Sequence, residues 1–262
     1  MAPVDVARGR TTRLADGDVA SPSGAAAGSV VIASPRGGGE PVRLTLDGGS
    51  FAADALPSPG LYDLSWHAGG GEARAVVERV ACHYFELREL AEEAGQEDDL
   101  SGVSEARQAR ARAEATQIVE RACGRSFTPR RGVAVLAARG RLLDLPWRDV
   151  ASCELATESG REVPAELPSD CQCLLPEGLR PGVRLEASAT YGLPEPPEEV
   201  RRAAVRLALY LLRRPARPDN AVGESTDYGF IRYSLAGRDG ATGLVEVDAA
   251  IKAWALRGPV VA

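Results

Sequence analysis

The fold of the central part of the chain is decided by residues 104–131, SEARQARARAEATQIVERACGRSFTPRR. Ser104 is a residue type favoured at helix N-caps. Apolar side chains then recur at helical spacing, at Ala109, Ala113, Ile118, Val119 and Ala122. Gly124 is the residue expected just past a helix C-terminus. The stretch therefore predicts a helix over about 104–123 with a sharp end, followed by Pro129 and a return to β-type sequence.

A second helix is predicted over about 198–213, after Tyr191-Gly192-Leu193-Pro194. Pro196-Pro197 fixes its start, because proline is tolerated only at the first turn of a helix. Its apolar face consists of Val200, Ala204, Leu207, Ala208 and Leu211, and three arginines lie opposite, Arg202, Arg206 and Arg213. Proline residues shortly after this helix end it.

Two shorter helices are predicted, one acidic over about 84–94 and a last one over about 245–256. The last helix follows Thr242-Gly243-Leu244-Val245-Glu246-Val247-Asp248, and Val247, Ile251 and Trp254 or Ala255 are predicted to face inward. A long polar loop with scattered aromatic residues, 214–243, precedes it. Loops of this length are usually functional or irregular.

Two regions instead show the two-residue period of β-strands. Residues 29–81 contain short alternating segments separated by Gly/Pro turns, which predicts a small immunoglobulin-like β-sandwich with Trp66 in its core. Residues 131–190 form a β-rich insert, and residues 1–28 are expected to be a flexible arm. The predicted class is α+β: a small N-terminal β-sandwich (Ig-like), 29–81, followed by a helical core, 82–262, that carries the β insert.

Composition limits the classes of function. The chain has 262 residues and a net charge of -6, so non-specific DNA binding by counterion release is disfavoured. Its five cysteines include no Cys-x-x-Cys pair, which favours reduced thiols in a cytoplasmic protein. We expect no signal peptide and no membrane-spanning segment, because no apolar run is long enough.

No residue pattern predicts catalysis, so we expect a protein that is not an enzyme and has no catalytic, cofactor or metal site. The two histidines, His67 and His83, lack the further ligands that zinc needs. Gly37-Gly38-Gly39 lacks the Gly-Lys-Ser/Thr ending of a phosphate loop. The acidic residues between Glu86 and Asp99 are interpreted as a solvated helix face, with a wall near a DNA channel as the functional alternative.

The order of these features resembles the head–tail connector (adaptor) proteins of long-tailed, siphovirus-type phages. That order is a helix closed by Gly124-Arg125-Ser126-Phe127, then β sequence, Tyr191-Gly192, a proline-started helix, and Thr242-Gly243 through Asp248. The resemblance covers roughly residues 82–262. Residues 1–80 resemble, more loosely, the β-domain that precedes this core in some phages of high-GC Gram-positive hosts.

The resemblance implies a virion structural protein located in the head–tail neck and assembled in the host cytoplasm. It implies a homo-oligomeric ring of about twelve subunits, docked below the portal protein and above tail-completion, stopper or terminator proteins. Genomic DNA would pass through the lumen without specific binding. No cofactor and no membrane partner are implied.

Two sets of residues are candidates for contacts in such a ring. The last helix would contact the portal or another neighbour through Leu244, Val245, Val247, Ile251 and Trp254; alternatively, this helix closes the subunit's own bundle. The arginine stripe Arg202, Arg206 and Arg213 would contact the next subunit, with a plain solvent face and DNA contact as alternatives. A different class of function is also open, a binding module whose Ig-like domain recognises a sugar or protein on the host surface.

Overall fold

The computed structural model describes residues 3–9, 11–36, 39–95, 100–176, 180, 182–213, 223–226, 229–232 and 242–256. The chain forms two compact units, Met1–His83 with Ser126–Glu195, and Tyr84–Arg125 with Pro196–Ala262. The first unit is built of strands, and the second contains helices α1 to α4. The predicted α+β class is confirmed.

The first unit begins with an N-terminal β region. Its strands are β1 (Val4–Val6), β2 (Thr11–Leu14), β3 (Val19–Pro22), β4 (Val30–Pro35), β5 (Val42–Thr45), β6 (Phe51–Ala52), β7 (Gly60–Ala68) and β8 (Gly71–Arg79). One sheet has the order β2-β8-β7-β4-β5, and another has the order β1-β3-β6. In β7 the side chains alternate, so that Leu64 and Trp66 are buried whereas Asp63 and His67 face solvent. The Trp66 indole N–H donates to the Ser23 carbonyl at 3.3 Å, which satisfies its polar atom inside the core.

Residues 1–28 differ from the predicted flexible arm, because they contribute β1, β2 and β3. Val6, Leu14 and Ala20 are each completely buried in the core of this region. β2 pairs in parallel with β8, from Thr11 opposite Val76 to Leu14 opposite Arg79. Strands this short show too few alternations for a period to be visible in the sequence.

A second β region follows in the same unit. Its strands are β9 (Arg130–Ala137), β10 (Leu142–Asp144), β11 (Val150–Thr157), β12 (Glu162–Val163), β13 (Glu166–Ser169), β14 (Gln172–Leu174) and β15 (Arg184–Tyr191). They form one sheet with the order β12-β11-β15-β9 and one with the order β10-β14-β13. Leu143, Leu155, Cys173 and Leu185 are among the buried residues of the core that these sheets share.

A buried carboxylate connects the two β regions. Glu78 of β8 pairs with Arg13 of β2 at 3.1 Å and also with Arg130 of β9. The side chains of Arg13 and Glu78 are each only 6% exposed. Because water cannot solvate these buried charges, each is stabilised by the opposite charge beside it. The sequence predicted residues 131–190 as an insert of the helical core; the structure instead groups them with the N-terminal β region in one compact unit.

The helical unit contains α1 (Leu87–Ala94), α2 (Glu105–Cys123), α3 (Glu198–Leu212) and α4 (Val245–Trp254). All four lie within a few residues of the predicted bounds. The Ser104 hydroxyl accepts from the Arg107 N–H at the start of α2, and Gly124 adopts a left-handed conformation at its end. A polar contact also lies in this core, where the Tyr84 hydroxyl donates to Glu120 at 3.0 Å.

Most of the predicted loop 214–243 lies outside the described residues. Within it, the backbone of β16 (Gly223–Thr226) pairs antiparallel with that of β17 (Gly229–Arg232). Among the described residues, no helix has the length and apolar content that a membrane crossing requires.

Candidate assembly surface

The outward face of α3 carries two residues of the predicted arginine stripe, Arg202 and Arg206, and Arg213 follows directly as the C-cap residue in extended conformation. Arg202, Arg206 and Arg213 are exposed, whereas Val200, Ala204 and Leu207 are buried on the opposite side. The helix therefore has the two faces that its spacing predicts. Tyr210 lies on the same outward face and is 50% exposed. The sequence analysis did not select Tyr210, although its position four residues after Arg206 places it one turn further along the stripe.

The predicted contact residues of α4 divide into inward and outward sets. Val247 and Ile251 are buried and pack within the helical unit. Val245 is 82% exposed, and Leu244 and Trp254 are half-buried. The Trp254 indole N–H donates to Glu199 of α3 at 3.2 Å, so this side chain is held by its own chain. Val245 is therefore the residue of this set that is most available to another molecule.

The structure brings the arginine stripe close to the start of α4, where Val245 is the most exposed member of the predicted α4 set. Arg206 of α3 lies 4.0 Å from Glu246 in the first turn of α4. Since Trp254 at the other end of α4 contacts Glu199 in the first turn of α3, the two helices run antiparallel. Val245 directly precedes Glu246, and Tyr210 lies one turn after Arg206 on α3. We call Arg202, Arg206, Tyr210, Arg213, Val245 and Glu246 the α3–α4 surface.

Charges on and beside this surface are partly compensated within the subunit. Arg206 lies 2.9 Å from Glu93 of α1 in addition to its contact with Glu246. Arg201 donates to Glu198 at 2.7 Å and to Glu89 at 2.6 Å. The Glu198 hydrogen bond, with the charge of Glu89 as a smaller contribution, raises the Arg201 pKa above its ordinary value. Each of these two arginines thus has two carboxylates of its own chain nearby.

Two of the motif stretches meet in a tight corner of the first unit. The Leu193 N–H donates to the Ser126 carbonyl at 3.3 Å. Gly192 has a φ of 98°, and a Cβ at this position would lie 2.3 Å from the Thr128 carbonyl oxygen. Only glycine can therefore occupy this position without displacing the backbone. Gly192 is therefore required because residues 126–128 pass close to residues 192–193 here. No bound ligand is needed to explain the Tyr191-Gly192 motif.

Tyr191, beside that glycine, lies in a small aromatic cluster. Its ring stacks on Trp147 with the centroids 5.6 Å apart. The guanidinium of Arg130 lies over the same ring, 5.8 Å from its centroid. Since Arg130 also pairs with Glu78, the cluster belongs to the connection between the two β regions.

The third motif stretch forms a cap at the start of α4. The Asp248 carboxylate accepts from the Thr242 N–H at 2.8 Å, from the Thr242 hydroxyl at 2.9 Å and from the Gly243 N–H at 3.2 Å. The Thr242 hydroxyl in turn accepts from the Leu244 N–H at 3.2 Å. These bonds pair the N–H groups of the three residues that precede α4, Thr242, Gly243 and the N-cap Leu244, and tie them to the first turns of the helix. The spacing between Thr242 and Asp248 therefore encodes a fixed entry into the last helix.

The residues considered for chemistry have structural surroundings. His83 Nε2 lies 2.7 Å from Asp18, and both side chains are almost fully buried. The Asp18 carboxylate also accepts from the Ala15 N–H at 2.9 Å, so this pair fixes the turn before β3. Within the part of the chain that the structure describes, no group of three His, Cys, Asp or Glu residues could hold a metal ion.

The solved structures that are similar to the chain include two particle necks. One is described as the neck of an empty GTA (gene transfer agent) particle computed with C6 symmetry; it is 18% identical, with 67% of this chain and 91% of that chain covered and a TM-score of 0.47. The other is the neck of a native GTA particle computed with C12 symmetry, 17% identical over 66% of this chain and 89% of that chain, with a TM-score of 0.44. At these values the likeness carries no conclusion about what this chain does. No protein-family model matches the sequence, and no curated protein matches it.

Proposed function

We propose that this protein is a structural component of a phage-type particle, a head–tail connector that forms a ring in the neck. The observation that carries the proposal is the α3–α4 surface, where the arginine stripe adjoins the exposed start of α4. Tyr and Arg are the residue types enriched at the energetic centres of protein interfaces. Tyr210, 50% exposed, and Val245, 82% exposed, are the apolar side chains that this surface offers to a partner.

The motif geometry supports the same proposal. The stretches that carry the resemblance to connectors have defined structural roles here, as the Ser126–Gly192 corner and the Asp248 cap. In this proposal the N-terminal β region is an immunoglobulin-like addition to the connector.

The proposed partners follow from a ring in the neck. Copies of the chain associate head to tail around the ring, because a cyclic assembly needs two different surfaces on each subunit. The ring contacts the portal protein on one side and tail-completion proteins on the other. The net charge of -6 suits a lumen that genomic DNA passes without being held. The protein has no catalytic turnover in this proposal.

Electron microscopy of the particle that contains this protein tests the proposal. Antibody or tag labelling of the full chain should give density at the head–tail junction, arranged as a ring. Labelling at a tail tip or a capsid surface would instead favour the binding module for a host-surface sugar or protein. A hydrolase or nuclease activity that disappears on a single substitution would refute the structural role.

Point variants test the surface itself. Val245→Glu places a charge at the most exposed apolar residue of the α3–α4 surface and should abolish incorporation while the protein stays folded. Val135→Glu is the matched control, since Val135 is 51% exposed on β9, in the other unit. If both variants enter particles equally well, the α3–α4 surface is not the contact.

A further inference from the structure

Strand β9 is the outermost strand of the sheet β12-β11-β15-β9. One of its edges pairs with β15, and no other strand among the described residues pairs with the second edge, which we call the open edge. From 132 to 137 the sequence is Gly-Val-Ala-Val-Leu-Ala, without a charge or a proline. Natural sheets usually protect an edge with charged side chains, proline or a bulge. An apolar edge strand of 8 residues is therefore suited to pair with a further strand.

The register of the ladder shows which backbone groups face the open edge. Just past β9, the Ala138 N–H donates to the Val183 carbonyl at 2.9 Å. Hydrogen-bonded pairs recur at every second residue of an antiparallel ladder, so Leu136 and Ala134 are the next residues that bond to β15. The residues that alternate with them turn their N–H and C=O groups away from β15, towards the open edge.

These edge-facing residues are Val133, Val135 and Ala137. No backbone hydrogen bond joins their edge-facing groups to any other residue that the structure describes. Val135 and Ala137 are exposed, and Val133 is half-buried. Their side chains point out of the sheet and not along its edge, so pairing at this edge depends on the backbone groups.

A cleft of about 430 Å³ lies at the Arg131 end of the open edge. Its walls combine apolar side chains with two arginines, and they include Pro35, Pro59, Leu61, Val133, Arg36 and Arg131. Arg36 donates to Asp63 at 2.7 Å, so its charge is compensated within the chain. Arg131 is 43% exposed and donates to the uncharged Ser188 hydroxyl at 3.1 Å, whereas the carboxylate of Glu154 lies 4.0 Å away. The charge of Arg131 can therefore attract a carboxylate from another molecule.

Arginine also lies beyond the other end of the open edge. Arg139 follows β9 by two residues and is exposed. Antiparallel pairing of two open edges from separate copies would bring Arg131 of one copy towards Arg139 of the other, and parallel pairing would place each arginine beside its equal. Like charges opposite each other destabilise a pair of strands. The charges thus favour a segment with carboxylates at its ends over a second copy of β9.

We propose that the open edge of β9 binds an extended segment of another protein, which adds a strand to the sheet and carries a carboxylate near each end. The backbone of the segment pairs with Val133, Val135 and Ala137, and an apolar side chain enters the cleft. Its carboxylates meet Arg131 and Arg139, which are about 27 Å apart along an extended chain. The site belongs to the first unit and does not rest on the proposed function, and incorporation into a particle is not attributed to it.

Hydrogen exchange of the full-length protein, resolved to single residues by NMR, tests the proposal. The probe is a synthetic peptide about as long as 131–139, Glu-Val-Thr-Val-Thr-Val-Thr-Val-Glu with blocked ends. Without it, the N–H groups of Val133, Val135 and Ala137 should exchange fast, and those of Ala134 and Leu136 should exchange slowly. Saturating peptide should slow the first set by at least about tenfold and leave the second set unchanged.

Binding of the labelled peptide, followed by fluorescence anisotropy, tests the charges. A peptide with lysine in place of both glutamates should bind weaker by on the order of tenfold. Arg131→Gln should weaken binding of the Glu-ended peptide by roughly two- to fivefold, the range of an exposed ion pair. Arg161→Gln is the matched control, because Arg161 is an exposed arginine between β11 and β12, at the opposite side of the same sheet. This control should bind the peptide as the wild type does.

Three results would overturn the proposal. The first is slow exchange of Val133 and Val135 without peptide; if it depends on protein concentration, a second copy covers the edge, and otherwise the chain itself does. The second is unchanged exchange of these residues in the presence of up to about 1 mM peptide, a concentration that detects even weak binding. The third is equal affinity for the Glu-ended and the Lys-ended peptide. The exchange results are read from the wild-type protein, so the folding of a variant does not limit them.

Discussion

Substitution of Glu78 by Gln should destabilise the first unit by about 3–5 kcal/mol, the usual cost of breaking a buried ion pair by removing one partner. The change keeps the size of the side chain but removes the charge that lies between Arg13 and Arg130. Arg13 has a side chain that is only 6% exposed, so solvent cannot replace the lost charge. For a domain of ordinary stability this is a large fraction of the free energy of unfolding.

Denaturant unfolding followed by tryptophan fluorescence measures this effect. Trp66 lies in the N-terminal β region and Trp147 in the second, so variants that keep only one tryptophan report each region separately, and coincident transitions would show one cooperative unit. Glu154→Gln is the control, because Glu154 is 84% exposed and lies 4.0 Å from Arg131. An exposed pair of this kind contributes about 0–1 kcal/mol. Equal losses in the two variants, or a loss below about 1 kcal/mol for Glu78→Gln, would refute the reasoning.

Two further substitutions test the motif geometry. Gly192→Ala should lower the free energy of unfolding by roughly 2–4 kcal/mol, because the added Cβ would clash with the Thr128 carbonyl and the backbone there is left-handed. The control is Gly160→Ala, where φ is 79° and the space around the added Cβ is open. This control should lower the free energy of unfolding by only about 1 kcal/mol. Asp248→Ala should lower the free energy of unfolding by about 1–2 kcal/mol, because it removes the hydrogen bonds that Asp248 accepts before α4. Its control, Glu246→Ala on the same helical turn, should change the free energy of unfolding by less than about 0.5 kcal/mol. Thermal unfolding checks both pairs, and a control that loses as much as its partner would contradict the assigned role.

The helices could be predicted from the sequence because their ends are encoded locally. Ser104 and Gly124 place α2 to within a residue, and Pro196-Pro197 places the start of α3. The division of α3 into a buried and an arginine-bearing face also follows from spacing alone. These features depend on residues at most one or two turns apart.

The features that sequence did not provide depend on contacts between distant residues. The Glu78 connection joins side chains 65 and 52 positions away, and no local pattern specifies it. The strands of residues 1–28 are stabilised by the core that they enter and have little periodicity of their own. For the candidate surface, sequence supplied the arginines and Val245, but the adjacency of α3 and α4 needed the antiparallel packing that the structure shows.

The carboxylates around Arg201 and Arg206 have a consequence for how the protein would respond to ionic strength. Salt weakens attraction between exposed charges on separate molecules, with a screening length of about 8–10 Å near physiological conditions. Both arginines already face acidic groups of their own chain, at 2.6–2.9 Å. Association through the α3–α4 surface would then draw little on Arg206, and the burial of Tyr210 and Val245 is not screened by salt. A contact of this composition weakens in concentrated salt only as far as Arg202 and Arg213 contribute to it.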